Sequence, residues 1–420
     1  MQSNEGATEL LTRAAFSEDS LHVLDECPVC GGETASAEPV TEDYIEVFGE
    51  PHFFSVDLCP ACGAVYSKTR SINEKLYSPE LDLEKEHGHQ RPPLAPLSEA
   101  AWNFGTKSLQ VSEMGRAVGE AKHVRYLEVG ASDGTLFRMF HQAAGRDGAR
   151  VEATLIESSG AALPCEAIDG CRVIAQSVLS DIDVAQGSCD LAVLSHCLEH
   201  FDNPRDVIAK VRECLRPGGI LFVEVPDGLR FDRSISSPLG YFHIVNFNIV
   251  NLAWMIEGLG FELIDAEQRD HYPGIRVIAR RREGGAKPAA PLGAVSLALA
   301  RNAVGHWRDA GATAFARLEE RAPGGKILVY GAGTHAVALL RRLPDWLQGD
   351  KISFADSNPR IDTFLGRPVL SPAEIEFGEF DLVVISSYAY QEEIAKSLIV
   401  LGCPEAKLFR FYDEIFAYVG

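Results

Sequence analysis

Two cysteine pairs, Cys27-Pro28-Val29-Cys30 and Cys59-Pro60-Ala61-Cys62, put four thiols at the spacing of a metal knuckle. Each CxxC makes a turn that aims two sulfurs at one point, and the glycine that follows, Gly31 or Gly63, permits the positive-φ backbone of such a turn. Four thiolates suit tetrahedral Zn2+, and their closed shell leaves no position for a substrate. The spacing therefore predicts a structural zinc held by Cys27, Cys30, Cys59 and Cys62. Two redox dithiols are the rival, but nothing thioredoxin-like surrounds the pairs. The other cysteines, Cys165, Cys171, Cys189, Cys197, Cys214 and Cys403, are scattered in mostly apolar stretches and read as reduced core residues.

The second constellation is a glycine turn behind an apolar run, Leu127-Glu128-Val129-Gly130-Ala131-Ser132-Asp133-Gly134. Val124–Val129 reads as a buried strand and Thr135–Ala144 as a helix. Gly130 and Gly134 then let the turn approach a ligand, and the helix N-terminus offers free amides. A second strand, Val151–Ile156, ends in Glu157, where a carboxylate can accept both hydroxyls of a ribose. Two further strands follow, Leu191–Leu194 and Ile220–Val225. Between them Asn203 and Pro204 open a helix striped by Val207, Ile208, Val211, Cys214 and Leu215, and Pro217-Gly218-Gly219 stops it. Strand ends converging in this way make a ligand crevice at a topological switch point.

The chain that must position these groups has 420 residues, enough for two or three domains. The motifs divide it into a zinc-binding module at 1–75, a polar, Pro-rich linker or lid at 76–100, an α/β domain at 101–285 and a second, Rossmann-like α/β domain at 286–420. A net charge of −21 argues against nucleic acid as a partner. No apolar run is long enough to span a membrane, and the N-terminus lacks the pattern of a secretory signal, so the expected location is cytoplasmic.

The order of motifs LEVGASDG, LIES and CDLAVLSHCLEHF…LRPGGILFVEVP resembles the class I S-adenosylmethionine-dependent methyltransferases over roughly residues 120–280. That resemblance implies an α/β Rossmann-like fold with S-adenosylmethionine as cofactor. It puts Glu128, Gly130, Ser132 and Gly134 around the methionine end of the donor, Glu157 on the ribose and His196 close by. A ligand-free or NAD-type Rossmann domain is the rival, and the LEH and LxPGG segments do not belong to the dinucleotide pattern. The layout of a four-cysteine module, a central methyltransferase and a C-terminal α/β domain further resembles the three-domain bacterial sugar C-methyltransferases. His271-Tyr272-Pro273-Gly274-Ile275-Arg276-Val277 shares in that likeness. The family implies a nucleotide-linked deoxysugar as substrate, deprotonated next to its ketone by a general base before it takes the methyl group.

Candidates for the acceptor side are His200, in Cys197-Leu198-Glu199-His200, and His243, with Tyr241 and the linker residue Tyr77 as donors to the sugar. His196 is a further candidate there, whereas His87 and His89 read as solvated. Where the family carries His-Glu-His, this chain has Tyr241-Phe242-His243, so the orienting glutamate is missing from that stretch. O-methylation of a sugar or other small metabolite, for which one histidine suffices, stays open. So does a non-catalytic zinc-dependent adaptor.

In the C-terminal part, Lys326–Tyr330 reads as a strand followed by Gly331-Ala332-Gly333-Thr334-His335 and a helix, and Ile352–Ala355 as a second strand ending in Asp356. The turn is too degenerate to claim a dinucleotide. The resemblance implies a domain that helps to enclose the nucleotide-sugar; a packing domain without ligand is the alternative.

Overall fold

The computed structural model describes residues 13–47, 50–72, 97, 104–159, 161–176, 184–230, 242–268, 274–284, 292, 294–321, 324–343, 351–358, 362–387 and 390–412. Tyr77, His87, His89, Tyr241 and, except for Leu97, the whole 76–100 segment lie outside them. The N-terminal part folds as short strands β1 (Leu21–Val23), β2 (Glu38–Val47), β3 (Glu50–Leu58), β4 (Val65–Tyr66) and β5 (Thr69–Ser71). Then come α1 (Phe104–Val118), β6 (His123–Val129), α2 (Thr135–Arg146), β7 (Arg150–Ile156), β8 (Cys171–Ile174) and β9 (Cys189–Ser195). The central part continues with α3 (Pro204–Cys214), β10 (Leu215–Pro226), β11 (Val245–Asn246), α4 (Ile249–Gly258), β12 (Phe261–Gln268) and β13 (Gly274–Arg281).

Seven of these strands form one sheet in the order β12-β13-β10-β9-β6-β7-β8. The five from β10 to β8 run parallel, and the β12/β13 hairpin lies antiparallel at one edge. β9 shows why the middle of the sheet is parallel. Leu191, Ala192, Val193 and Leu194 are all fully buried, so both faces of the strand are covered, as a βαβ sheet requires. Strand order reverses between β6 and β9, which opens a crevice at their C-terminal ends.

Local signals set the helices that cover this sheet. The side chain of Asn203 accepts the Asp206 amide at 3.2 Å and caps α3, with Pro204 in its first turn. Asn248 and Asn251 form a reciprocal cap on α4, which buries Leu252, Met255 and Ile256. β10 starts five residues earlier than the sequence suggests, at Leu215. Its register on β9 shifts between Leu215 and Ile220, and the irregularity absorbs Pro217, which has no amide for the ladder.

The N-terminal sheet is not closed within its own segment. β11 adds to it through Val245↔Tyr66 and Asn246↔Val65, and Ser67 donates its amide to the Ile244 carbonyl at 2.8 Å. One apolar cluster runs from Val29 and Tyr66 through Phe247 and Leu252 to Val225, so the cysteine module and the central sheet share a core.

The remainder consists of α5 (Ala294–Arg321), β14 (Ile327–Tyr330), α6 (Thr334–Arg342), β15 (Ile352–Ala355), β16 (Thr363–Phe364), β17 (Arg367–Leu370), β18 (Leu382–Ile385), α7 (Gln391–Val400) and β19 (Leu408–Phe409). Its sheet has the order β16-β17-β15-β14-β18-β19, parallel except for β16. The 28-residue α5 spans about 42 Å and links two packed regions, with Ala300 against Phe54 and Val56, and Leu318 in the core of the last sheet. Among the described residues no helix is long and apolar enough to cross a membrane.

Candidate active site

On one side of the crevice the turn after β6 is held by backbone geometry. A Cβ on Gly130, whose φ is +71°, would come within 2.5 Å of the Cys197 Cβ, so the close approach this glycine permits is to the segment leaving β9. Ser132 adopts φ +50° without being glycine, a strained conformation of the kind that collects at binding sites. Its amide donates to Glu157 Oε2 at 2.8 Å, which ties the β6 turn to the end of β7. Glu157 Oε1 accepts from Ser159 as well, from the amide at 3.0 Å and the hydroxyl at 2.9 Å. The half-buried carboxylate thus stands at the crevice with most of its acceptor positions engaged, and ribose hydroxyls would replace the Ser159 bonds. Glu128 lies deeper, 2% exposed, and accepts from the Tyr126 hydroxyl at 2.8 Å. Burial pushes its carboxyl up to about 7, opposed by Lys107 and by that hydrogen bond. Small residues at the turn, with an acidic group on either side of it, fit a donor that carries an ammonium and a ribose diol.

The opposite side is built from residues far apart in sequence. His196 follows β9 at φ +52°, and its amide donates to the Glu224 carbonyl at 2.8 Å. Its Nε2 lies 3.2 Å from Glu224 Oε1 and its Nδ1 3.9 Å from Glu199 Oε1. Glu224, on β10, is fully buried; it accepts from Gln110 of α1 and from Arg276 of β13, whose Nε lies at 2.6 Å. Arg276 also pairs with Glu113 of α1. Burial opposes protonation of His196, but Glu224 outweighs it and the imidazole is pushed above its ordinary value.

His200 turns its Nδ1 to the Phe242 carbonyl at 2.6 Å, and its ring meets that of His243 edge-on at 5.0 Å between centroids. His243 is pushed down to about 4 by its desolvated position and by His200, so it is neutral at ordinary pH. Of the expected acceptor residues, His196, His200 and His243 come together, and Tyr241 lies outside the described residues. Gln110, Glu113, Glu199, Glu224 and Arg276 join this group without having been expected in it from the sequence. The only available signal was a charged residue inside an otherwise apolar strand, as Glu224 is in Ile220–Val225.

The four cysteines converge. Cys27 Sγ and Cys62 Sγ are 3.6 Å apart, and Cys30 Sγ and Cys59 Sγ 3.7 Å. A zinc tetrahedron with Zn–S bonds of about 2.3 Å has edges of roughly 3.8 Å, so the donor set fits that ion without rearrangement. Gly31 and Gly63 adopt φ +70° and +69°, as each turn demands. The Cys62 carbonyl accepts from Ser296 Oγ at 2.5 Å and Asn251 Nδ2 at 3.4 Å, and the Gly63 carbonyl from Asn248 Nδ2 at 3.3 Å. The knuckle therefore sits on the start of α4, and through β4 and β11 it holds the segment that carries His243.

Residues 90–266 match the family model described as a methyltransferase domain. This stretch of the chain is a methyltransferase domain. Over 106 residues the chain is 27% identical to a "probable S-adenosylmethionine-dependent methyltransferase" of Mycolicibacterium smegmatis, a match that covers 25% of this chain and 41% of that protein's length. Two solved structures resemble the methyltransferase domain, both described as S-adenosylmethionine-dependent methyltransferases. The one from Mesorhizobium loti is 16% identical with a TM-score of 0.34, covering 44% of this chain and 99% of that one. The one from Aquifex aeolicus is 12% identical with a TM-score of 0.36, covering 48% and 99%. Residues 324–409, outside the methyltransferase domain, match a family described as C2185-like, N-terminal.

In that last region a cavity of about 590 Å3 opens at the ends of β14, β15 and β18, lined among others by Gly331, Gly333, Asp356, Ser386 and Tyr390. Asp356 Oδ2 accepts the Ala332 amide at 2.8 Å, so this turn and the β6 turn are tied by the same device, a carboxylate at the end of the next strand.

Proposed function

We propose that the chain transfers a methyl group from S-adenosylmethionine to a nucleotide-linked sugar, at the carbon next to a keto group, with a histidine as general base. The observation that carries this reading is the convergence of His196, Glu199, His200 and His243 beside the segment on which the Gly130 turn packs. A reaction whose methyl donor is already activated asks the protein to align two substrates and to remove one proton.

His196 is the proton acceptor this geometry favours. With Nε2–H donating to Glu224, Nδ1 takes the proton from the carbon, the electron pair moves towards the ketone oxygen, and Glu224 compensates the imidazolium. His200 and His243 face the oxygen-bearing side of the acceptor. When bound, the donor would supply a methyl group on a positively charged sulfur; the electron pair of the deprotonated carbon would make the new C–C bond, and the sulfur would keep the C–S pair. Glu128, Gly130, Ser132, Gly134 and Glu157 hold the donor, and the C-terminal cavity suits the nucleotide end of the sugar, with Asp356 placed to accept from hydroxyls. Zn2+ in the four-cysteine site is structural.

The experiment incubates the chain with nucleotide-linked keto sugars in deuterated buffer, with and without donor. The reading expects deuterium uptake next to the ketone without donor and methylation at that carbon with it. Methylation of a hydroxyl with no exchange would instead favour O-methylation, for which a histidine backed by Glu224 also suffices. No donor binding at all would favour an adaptor.

A further inference from the structure

Glu199 is 1% exposed, yet its Oε2 has no hydrogen-bond partner among the described residues. Its Oε1 lies 3.8 Å from His200 Nε2, beyond hydrogen-bond reach. Its other imidazole neighbour, His196 Nδ1, stands 3.9 Å from Oε1, also beyond hydrogen-bond reach. The Phe242 carbonyl, 2.6 Å from Nδ1 of His200, can only accept, so Nδ1 carries a hydrogen and Nε2 is the ring atom turned towards Glu199. An imidazole nitrogen and a carboxylate oxygen, both able to ligate a cation, thus border one gap.

His243 closes the third side. One ligating atom from each of Glu199, His200 and His243 lies within 4.8 Å of the other two, and the segments are locked by the Ile244 amide donating to the Glu199 carbonyl at 2.7 Å. Ligands that share one ion at about 2.1 Å stand roughly 3 to 4 Å apart, so small side-chain rotations suffice.

We propose that Glu199, His200 and His243 form a second metal site, which holds a divalent first-row cation on the acceptor side of the crevice. Two imidazoles and one carboxylate suit such ions and leave coordination positions open, unlike the closed shell of the four cysteines. The Phe242 carbonyl is the outer-shell partner that fixes the tautomer of a ligating histidine. An open site here would take oxygen atoms of the acceptor as further ligands and draw electron density from a ketone. That use rests on the function proposed above; the binding of the ion does not.

The test takes the full chain with its cysteine site loaded with zinc, adds Mn2+ with neither donor nor sugar present, and follows calorimetry and histidine 15N resonances. One equivalent should bind, the His200 and His243 resonances should broaden, and Glu199→Gln should weaken binding by about a hundredfold. The proposal is overturned by absence of any uptake of Mn2+, Co2+ or Zn2+ beyond the cysteine-bound equivalent, by binding that Glu199→Gln leaves unchanged, or by broadening confined to other histidines. Should Glu199→Gln fail to fold, the broadening in the unaltered chain decides. If no ion binds while deuterium exchange and methyl transfer proceed, the metal site falls and the methyltransferase reading stands. A bound ion with no transfer separates the two in the other direction.

Discussion

On the donor side of the crevice, a short run from Gly130 to Gly134 and one carboxylate, Glu157, make the geometry, joined by the Ser132 amide. On the acceptor side, the same crevice draws His196, Glu199 and His200 from behind β9, Glu224 from β10, His243 from ahead of β11, Arg276 from β13, and Gln110 and Glu113 from α1. The first arrangement belongs to one strand-turn-helix unit and its neighbour. The second exists only when the whole sheet and the cysteine module are assembled. The donor side should therefore tolerate damage elsewhere in the fold, and the acceptor side should not.

Replacing His196 by Asn tests the division most severely. Turnover should fall by about a thousandfold, as for loss of a general base, while S-adenosylmethionine affinity measured by calorimetry changes little. If affinity falls in parallel with turnover, His196 belongs to the donor side.

Removing the ion proposed for the four cysteines, by chelation or by Cys59→Ser, should loosen β4 and with it β11 and His243. A displacement of about 1 Å there would cost on the order of a hundredfold in turnover. Donor binding by the partly stripped protein should survive. Equal loss of both functions would show that the knuckle supports the whole sheet rather than the acceptor wall.

Asp190 provides a control remote from both sides. Burial pushes its carboxyl up, but hydrogen bonds from Arg125 and Arg216 prevail and hold it well below the usual range. A depressed folded-state value means that the stabilisation is present above the unfolded value of about 3.9 and is lost as pH falls through the folded one. Asp190→Asn should cost about 2 kcal/mol in urea unfolding at neutral pH, and the deficit should shrink in acid. Asn248→Ala should have the smallest effect, about 1 kcal/mol for the lost α4 cap. Because Asn248 also donates to Gly63 and Ser296, turnover in that variant should fall more than donor affinity does.

Legibility in the sequence follows the same line. The strand-turn-helix at 123–146, the capped α3, the run of buried strands and the twin CxxC turns depend on neighbouring residues and periodicity, and all could be read from the chain. Glu224 and Arg276 are a cross-strand pair on β10 and β13; Glu224 stands out only as a charge in an apolar strand, and its partner is not identifiable until the two strands are paired. β11 is only two residues long and joins a sheet begun far earlier in the chain, so the tie between the knuckle and His243 had no periodic signal. Glu199 comes beside His243 only in the folded chain, from a loop far away in sequence.

The central claim, that the crevice between β6, β7 and β9 receives S-adenosylmethionine, is tested most directly by calorimetric titration of the donor into the unaltered chain and into Gly130→Val. The account predicts one site per chain, and its loss when a branched side chain meets Cys197 at a position of φ +71°. Absence of binding to the unaltered chain, or equal binding to both, would contradict it.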